Sequence, residues 1–360
     1  MDAHDTSVDT VIIGGGQAGL ALAFHLQQAG RRFVVLEAAD RLGDSWRRRW
    51  DSLTLFTPRR YDGLPGLPLD GDPDGHPGKD EIAGYLAGYA GHFALPVHTG
   101  CRVTSLRPRL GGGFVAETST GEWSADQVVV ATGAFHTPSV PSFAGRLADR
   151  VVQLHSSEYR NPDQLPAGDV LVAGAGNTGV QIAGELAAHG RRVTLAYDRL
   201  GPVLPQRLLG RDIFWWFSRL GTMTLSGESR LGARIRAQNP IIGTDMRGLL
   251  RSVRRTGRIV AAEGHELRSA DGTRHRADAV VWATGFRPGY PWLHVPVLDD
   301  RGAPVHRGGV TSWPGLYFLG LPWQRTRGSA VLGWVGRDAQ AIAAMIASAA
   351  APARAVAAVG

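Results

Sequence analysis

The sequence predicts an α/β fold in which a doubly wound parallel-sheet unit occurs twice. Three observations carry that prediction. Two short β-branched runs each lead into a glycine turn of the form GxGxxG, at Gly14-Gly15-Gly16-Gln17-Ala18-Gly19 and at Gly174-Ala175-Gly176-Asn177-Thr178-Gly179. Each turn precedes a helical stretch and a second apolar strand, which completes a βαβ unit. The chain has 360 residues, 43% of them apolar, enough for about two cores.

The elements follow in order. Val8 to Ile13 is the first strand, a helix runs from about Gln17 to Ala29, and Gly30 ends it. Phe33-Val34-Val35-Leu36 is the second strand, closed by Glu37. The stretch from Arg41 to Gly78 is irregular and rich in Pro, Gly and Arg, and excursions of that length are usually functional or disordered. A helix from Asp80 to His92 carries Ile82, Leu86, Tyr89 and Phe93 on one stripe. Strands around Cys101–Leu106, Gly113–Thr118 and Val128–Ala131 read as a small antiparallel meander. After Pro138-Ser139-Val140-Pro141 the pattern restarts with strand Val170–Ala173, the second glycine turn, a helix to about His189 and strand Arg192–Ala196. Residues 200–255 read as a helical insert centred on Phe214-Trp215-Trp216-Phe217. The sheet is expected to resume at Ile259 and to end at Ala279-Val280-Val281-Trp282. The chain then returns through Gly315–Gly320 to the first unit, and Ala339–Ala351 forms a terminal helix packed on one side. The expected domains are 1–160 with 286–360, discontinuous, and 161–285 with its insert.

Composition removes several function classes. The net charge of +7 comes from 39 basic and 32 acidic side chains, mostly scattered arginines without a lysine-rich tail, which argues for bound anionic cofactors and against nucleic acid. The one cysteine, Cys101, rules out an intramolecular disulfide. Met1-Asp2-Ala3-His4-Asp5 lacks the basic start of a signal peptide, and no apolar run reaches the roughly 18–20 residues of a membrane span, so a cytoplasmic protein without a membrane partner is expected. No residue cluster has metal-ligand spacing.

The first turn has the features of a dinucleotide site. Gly14 allows a tight turn, Gly16 lets a pyrophosphate approach the backbone, and Gly19 lets helix and strand pack closely. The phosphates then meet free N–H groups at a helix N-terminus, and Glu37 stands where a ribose-binding acid belongs. In the second turn Gly174, Gly176, Asn177, Thr178 and Gly179 repeat the pattern. There the strand runs out into Ala196-Tyr197-Asp198-Arg199. Arg199 suits the 2′-phosphate of NADPH, Asp198 argues the other way, and an arginine with no role is the alternative. Two Ala-Thr-Gly segments, Ala131-Thr132-Gly133 and Ala283-Thr284-Gly285, end buried strands where the chain crosses between the units, and their small residues suit close backbone approach to a cofactor.

With these residues in view, the sequence resembles the flavin-containing monooxygenases over nearly its whole length. The resemblance rests on both glycine turns, on Gly43-Asp44-Ser45-Trp46, on Ala283-Thr284-Gly285-Phe286-Arg287-Pro288, and on Gly315–Gly320 with Gly328-Ser329-Ala330. It implies FAD on Gly14, Gly16, Gln17, Ala18, Gly19, Glu37, Ser45, Trp46, Val103, Ala131, Thr132, Gly133, Gly320 and Ser329. It implies NADPH on Gly174–Gly179, Arg199 and Ala283–Gly285. The family fingerprint FxGxxxH plus a following aromatic is only partly kept: Asp149 and Val151 replace Phe and Gly, while His155 and Tyr159 remain. His155 reads as part of that fingerprint or, equally, as a hinge residue satisfied by backbone groups. Thr57, in Leu55-Phe56-Thr57-Pro58, is the substitute for an asparagine that some members carry. Phe214–Phe217 cannot all face one side of a helix, so some belong to the core, and Trp323 and Trp334 are alternative pocket walls.

The resemblance implies that NADPH reduces FAD, that reduced flavin and dioxygen form a C4a-(hydro)peroxyflavin, and that one oxygen passes to nitrogen or sulfur of a small organic substrate. Baeyer–Villiger oxygenation of a carbonyl and NAD(P)H:acceptor electron transfer are the alternatives. A disulfide reductase needs a redox cysteine pair that the sequence lacks. The substrate and the oligomeric state stay open, a homodimer included.

Overall fold

The computed structural model describes residues 6–348 apart from 239, 244 and 245. Met1 to Asp5 and the end of the expected Ala339–Ala351 helix lie outside the described residues.

The first unit consists of β1 (Ser7–Ile13), α1 (Gln17–Gln28) and β2 (Phe33–Leu36). The short α2 (Asp44–Arg47), then α3 (Lys79–His92), β3 (Val97–His98), β4 (Val103–Pro108), β5 (Phe114–Thr118) and β6 (Gly121–Val130) follow. Strands β3-β2-β1-β6 are parallel, and β6-β5-β4 form the antiparallel meander. Side chains alternate across this sheet. Ile12, Val35 and Val129 face the helices, while Val11, Ile13, Val34, Leu36, Val128 and Val130 face the meander side.

The chain then passes through β7 (Thr137–Pro138) to β8 (Val152–His155), β9 (Asp169–Ala173), α4 (Asn177–Ala188) and β10 (Arg192–Ala196). The insert is more than helical. It holds β11 (Val203–Leu204), β12 (Arg207–Leu208), β13 (Arg211–Asp212), α5 (Ile213–Arg219), α6 (Arg230–Gln238), β14 (Ile241–Ile242) and α7 (Met246–Ser252). Next come β15 (Arg254–Thr256), β16 (Ile259–Glu263), β17 (Glu266–Ser269), β18 (Arg274–Arg276) and β19 (Ala279–Trp282). The second sheet is parallel throughout, in the order β15-β10-β9-β19-β8.

Two expectations are corrected here. Ile259–Glu263 does not resume the main sheet. It pairs with β17 in a separate three-stranded antiparallel layer, and β15 takes the sheet edge beside β10. The boundary at 160 also cuts the second sheet, because β8 lies before it in sequence but pairs with β19. The crossing between the units falls between β7 and β8.

Finally β20 (Phe286–Arg287), β21 (Leu316–Phe318) and α8 (Val335–Ser348) return the chain. β20 pairs with β7, so the two crossing segments are hydrogen-bonded to each other. β21 pairs with Val128–Val130 of β6, just past the stretch of β6 that pairs with β5. One long strand thus serves two neighbours along the same edge. α8 buries Val335, Ala339, Ile342, Ala343 and Ile346 against the first core, the one-sided packing expected of it.

Candidate dinucleotide sites and the crossing between them

The two glycine turns repeat at atomic detail. Gly14 N–H donates to Leu36 O and Gly174 N–H to Ala196 O, both at 2.8 Å. Ala131 N–H donates to Ile13 O and Ala283 N–H to Ala173 O, again both at 2.8 Å. Gly14 and Gly174 have φ of 111° and 113°. A Cβ on them would meet Ala131 O at 2.7 Å and Ala283 O at 2.3 Å. The two Ala-Thr-Gly segments therefore begin against the turns. Gly19 and Gly179 lie so close to Gly14 and Gly174 that an added Cβ would stand 1.9 Å from the carbonyl oxygen in each case.

Gly16 and Gly176 differ from these packing glycines. A Cβ at either would meet nothing within 4 Å. Both are N-caps without a side-chain hydrogen bond, so the first N–H groups of α1 and α4 face open space. That combination suits a pyrophosphate, since the helix N-terminus favours an anion and no side chain competes for the donors.

The strand ends distinguish the two sites. Glu37 Oε2 accepts Gly15 N–H at 2.7 Å and Oε1 accepts Ala39 N–H at 2.8 Å, which fixes the carboxylate and leaves lone pairs for ribose hydroxyls. Arg199 is exposed and lines a cavity of about 310 Å³ with Gly174, Gly176, Asp198 and Thr284. Asn177 turns its side chain inward, where Oδ1 accepts Ile242 N–H at 3.1 Å and ties the insert to α4. Thr178 is half-buried on the first turn of α4.

The remaining residues expected at the first site are placed as follows. Gln17 Nε2 donates to Ala330 O at 3.4 Å, and a Cβ on Gly320 would lie 2.7 Å from Ala18 Cβ, so the returning chain packs on the start of α1. Ser45 is exposed and Trp46 packs partly buried against the first core. Thr132 is exposed, with Oγ1 3.1 Å from His136 Nε2, and Gly133 has φ of 77°. Val103 is buried in the meander core. Ser329 is wholly buried, and its Oγ accepts the N–H groups of Arg325 and Thr326 at 3.0 and 2.9 Å, so its hydroxyl shapes the turn before α8.

His155 lies at the crossing. Gly285 O can only accept, so His155 Nε2 donates to it at 2.9 Å, and the ring meets Phe286 edge-on with centroids 4.9 Å apart. Its Nδ1 is 2.8 Å from Ser157 Oγ. Burial lowers its pKa, which favours the neutral ring. The backbone thus satisfies one ring nitrogen of this histidine, and the bond ties β8 to the second crossing segment. Thr284 Oγ1 also donates to Ser139 O on the first crossing segment. Tyr159 is fully buried with its hydroxyl donating to Glu185 Oε2 at 2.7 Å, so the fingerprint's aromatic belongs to the second core. Arg49, which the sequence did not single out, places its guanidinium 5.3 Å from the Phe135 ring centroid beside this crossing.

Thr57 is buried and donates to Asp62 Oδ1 at 2.5 Å. Asp62 has no exposure and its Oδ2 lacks a partner; burial pushes its pKa up to about 7. Next to Thr57, Phe56 stacks on Phe214 at 5.6 Å, and Trp334 stacks on Tyr61 at 5.6 Å. Phe214 and Phe217 are buried in this aromatic cluster while Trp215 and Trp216 are partly exposed, the split expected of four consecutive aromatics. Trp334 thus joins the insert to the first unit. Trp323 is partly exposed with φ of 58°.

Comparison with known proteins agrees with this geometry. The family model described as pyridine nucleotide-disulphide oxidoreductase matches residues 11–202. An uncharacterized CzcO-like oxidoreductase of Geobacillus kaustophilus is 46% identical over 337 residues, spanning 92% of this chain and 96% of the relative. The indole-3-pyruvate monooxygenase YUCCA1 of Oryza sativa is 28% identical over 86% of each chain. The flavin-containing monooxygenase of Stenotrophomonas maltophilia superposes with a TM-score of 0.78 at 28% identity, covering 94% of this chain and 98% of that one. The chain belongs to the pyridine nucleotide-disulphide oxidoreductase family, among the FAD- and NAD(P)H-using flavoenzymes that include the flavin-containing monooxygenases.

Proposed function

We propose that this oxidoreductase is an NADPH-dependent FAD monooxygenase of a small organic substrate, with FAD on the first glycine turn and NADPH on the second. The observation that carries the reading is the paired turns: two matched anion cradles, one closed by the Glu37 carboxylate and the other opening past Arg199. The FAD unit comprises the first sheet with the returning β21 and α8, and the NADPH unit comprises the second sheet with its insert.

When bound, the flavin accepts hydride and activates dioxygen. The chain's own residues bind, orient and exclude water. Gly16 and Gly176 open the α1 and α4 N-termini to the two pyrophosphates. Glu37, held by two backbone N–H groups, accepts ribose hydroxyls. His155 fixes the second crossing segment through Gly285. The Phe56, Tyr61, Phe214 and Trp334 cluster keeps the surroundings of Thr57 dry, and Asp62 holds the Thr57 hydroxyl in one orientation.

Cys101 supports oxygen chemistry over disulfide reduction. It is buried, and Thr120 donates to its sulfur at 3.2 Å, so it lacks both the partner and the exposure of a redox thiol. The name of the rice relative adds oxo acids to the substrate classes worth testing beside amines, sulfides and ketones. The decisive experiment supplies NADPH and isotopically labelled dioxygen with such a panel. The reading predicts a product carrying one labelled oxygen. If all reducing equivalents end as hydrogen peroxide or pass to a quinone or ferredoxin, the monooxygenase reading fails.

A further inference from the structure

We propose that Arg258 is a second arm of the site that reads the 2′-phosphate of NADPH, acting with Arg199 from a neighbouring strand end. This deepens the reading above and rests on it.

The matched hydrogen bonds of the two turns align their strand ends residue by residue. Leu36 corresponds to Ala196, so Tyr197 stands where Glu37 stands. The first site therefore has an acid at the position that accepts a ribose 2′-hydroxyl, and the second has a phenol-bearing side chain there. That acid would repel a 2′-phosphate, so its replacement suits a phosphorylated ribose.

β15 brings Arg258 to this place. It is the parallel neighbour of β10, and Tyr197 N–H donates to Thr256 O at 3.2 Å just past the paired residues. Two residues after Thr256, Arg258 reaches the cavity that Gly174, Gly176 and Arg199 also line. Two arginines that follow neighbouring strands, Arg199 after β10 and Arg258 after β15, thus line one cavity.

Charge supports the same ligand. Asp198 is the one acid among the residues lining the cavity, against two arginines. Among the described residues, neither Arg199 nor Arg258 makes an ion pair or a side-chain hydrogen bond. Both are exposed, so they pay little to remain unpaired until an anion arrives. A guanidinium matches phosphate oxygens with parallel N–H donors and stays charged at any physiological pH. Two of them supply more positive charge than a neutral ribose diol calls for and match a phosphate group well.

The test measures binding of 2′,5′-ADP and of 5′-AMP to the FAD-loaded protein by calorimetry. Arg258→Gln is expected to weaken 2′,5′-ADP by at least about tenfold and to leave 5′-AMP within about twofold. Arg258→Lys is expected to recover part of the loss, because one charge returns without the planar donor pair. Retained flavin absorbance shows that the variants fold. If Arg258→Gln binds 2′,5′-ADP as the parent does, Arg258 is not part of the site. If the parent binds 5′-AMP but does not prefer 2′,5′-ADP, the phosphate assignment fails while the nucleotide site stands. If the parent binds neither, the second-site reading falls with it.

Discussion

Asp62 has no exposure, one hydrogen bond to Thr57 and a second oxygen with no partner. Burial raises its pKa from 3.8 to about 7, the largest cause, while Thr57 and Arg59 oppose the rise. The folded protein therefore keeps a proton that the unfolded chain has already released. This group's effect on stability is unfavourable above pH 3.8, grows until about pH 7 and reaches about 4 kcal/mol at most. Asp62→Asn is expected to remove that slope: its denaturation midpoint gains on the parent's as pH rises from 5 to 8. Parallel midpoints across that range would show that the carboxyl is ionised throughout. Thr57 was legible in the sequence through its loop, but Asp62 was not, because five residues of separation in an irregular segment do not reveal which side chains meet. Ser329 shows the converse. The sequence offered it to the flavin, whereas in the structure its oxygen accepts two backbone N–H groups and its hydroxyl also bonds Asp338.

Strands and helices were most legible where the pattern is local. The two βαβ units follow from β-branched runs, glycine turns and helix periodicity, and they form within a residue or two of the expected bounds. Strand partners were less legible. Ile259–Glu263 reads as a strand and is one, but its partner is the next strand in sequence, a choice set by how the chain turns at Gly264. β8 likewise joins the second sheet through β19, far away in the chain. His155, at the end of β8, makes that junction specific. His155→Ala removes the hydrogen bond to Gly285 O and the contact with Phe286. The expected cost is about 1–3 kcal/mol of stability in denaturant unfolding, with slower flavin reduction by NADPH and unchanged flavin content. Loss of FAD from that variant would place His155 in the first site and contradict its role at the crossing.

Across the whole molecule, one supersecondary unit is used twice and the two copies differ at their strand ends. The repeat was legible because the first and last glycines of each turn, Gly14 with Gly19 and Gly174 with Gly179, meet backbone requirements that only glycine meets. The strand-end difference was half legible: Arg199 follows β10 closely in sequence, whereas Arg258 follows β15 and needs the sheet order to be placed beside it. The net charge of +7 includes Arg199 and Arg258, which both line the cavity beside the second glycine turn. Among the described residues no helix is long and apolar enough to cross a membrane.

The symmetry of the turns allows the two sites to be disabled one at a time. Gly16 and Gly176 have extended N-cap backbones, with φ of −79° and −76°, and open space around them. An aspartate is therefore accommodated at either position and caps its helix, while its charge occupies the place of a pyrophosphate. Gly16→Asp is expected to purify without flavin. Gly176→Asp is expected to purify with its flavin, and the most direct measurement is to mix it anaerobically with NADPH and follow the flavin absorbance. The flavin is expected to stay oxidised over times in which the parent bleaches completely, yet to bleach with dithionite. Bleaching by NADPH at the parent's rate, or loss of flavin from Gly176→Asp with retention in Gly16→Asp, would contradict the assignment of the two sites.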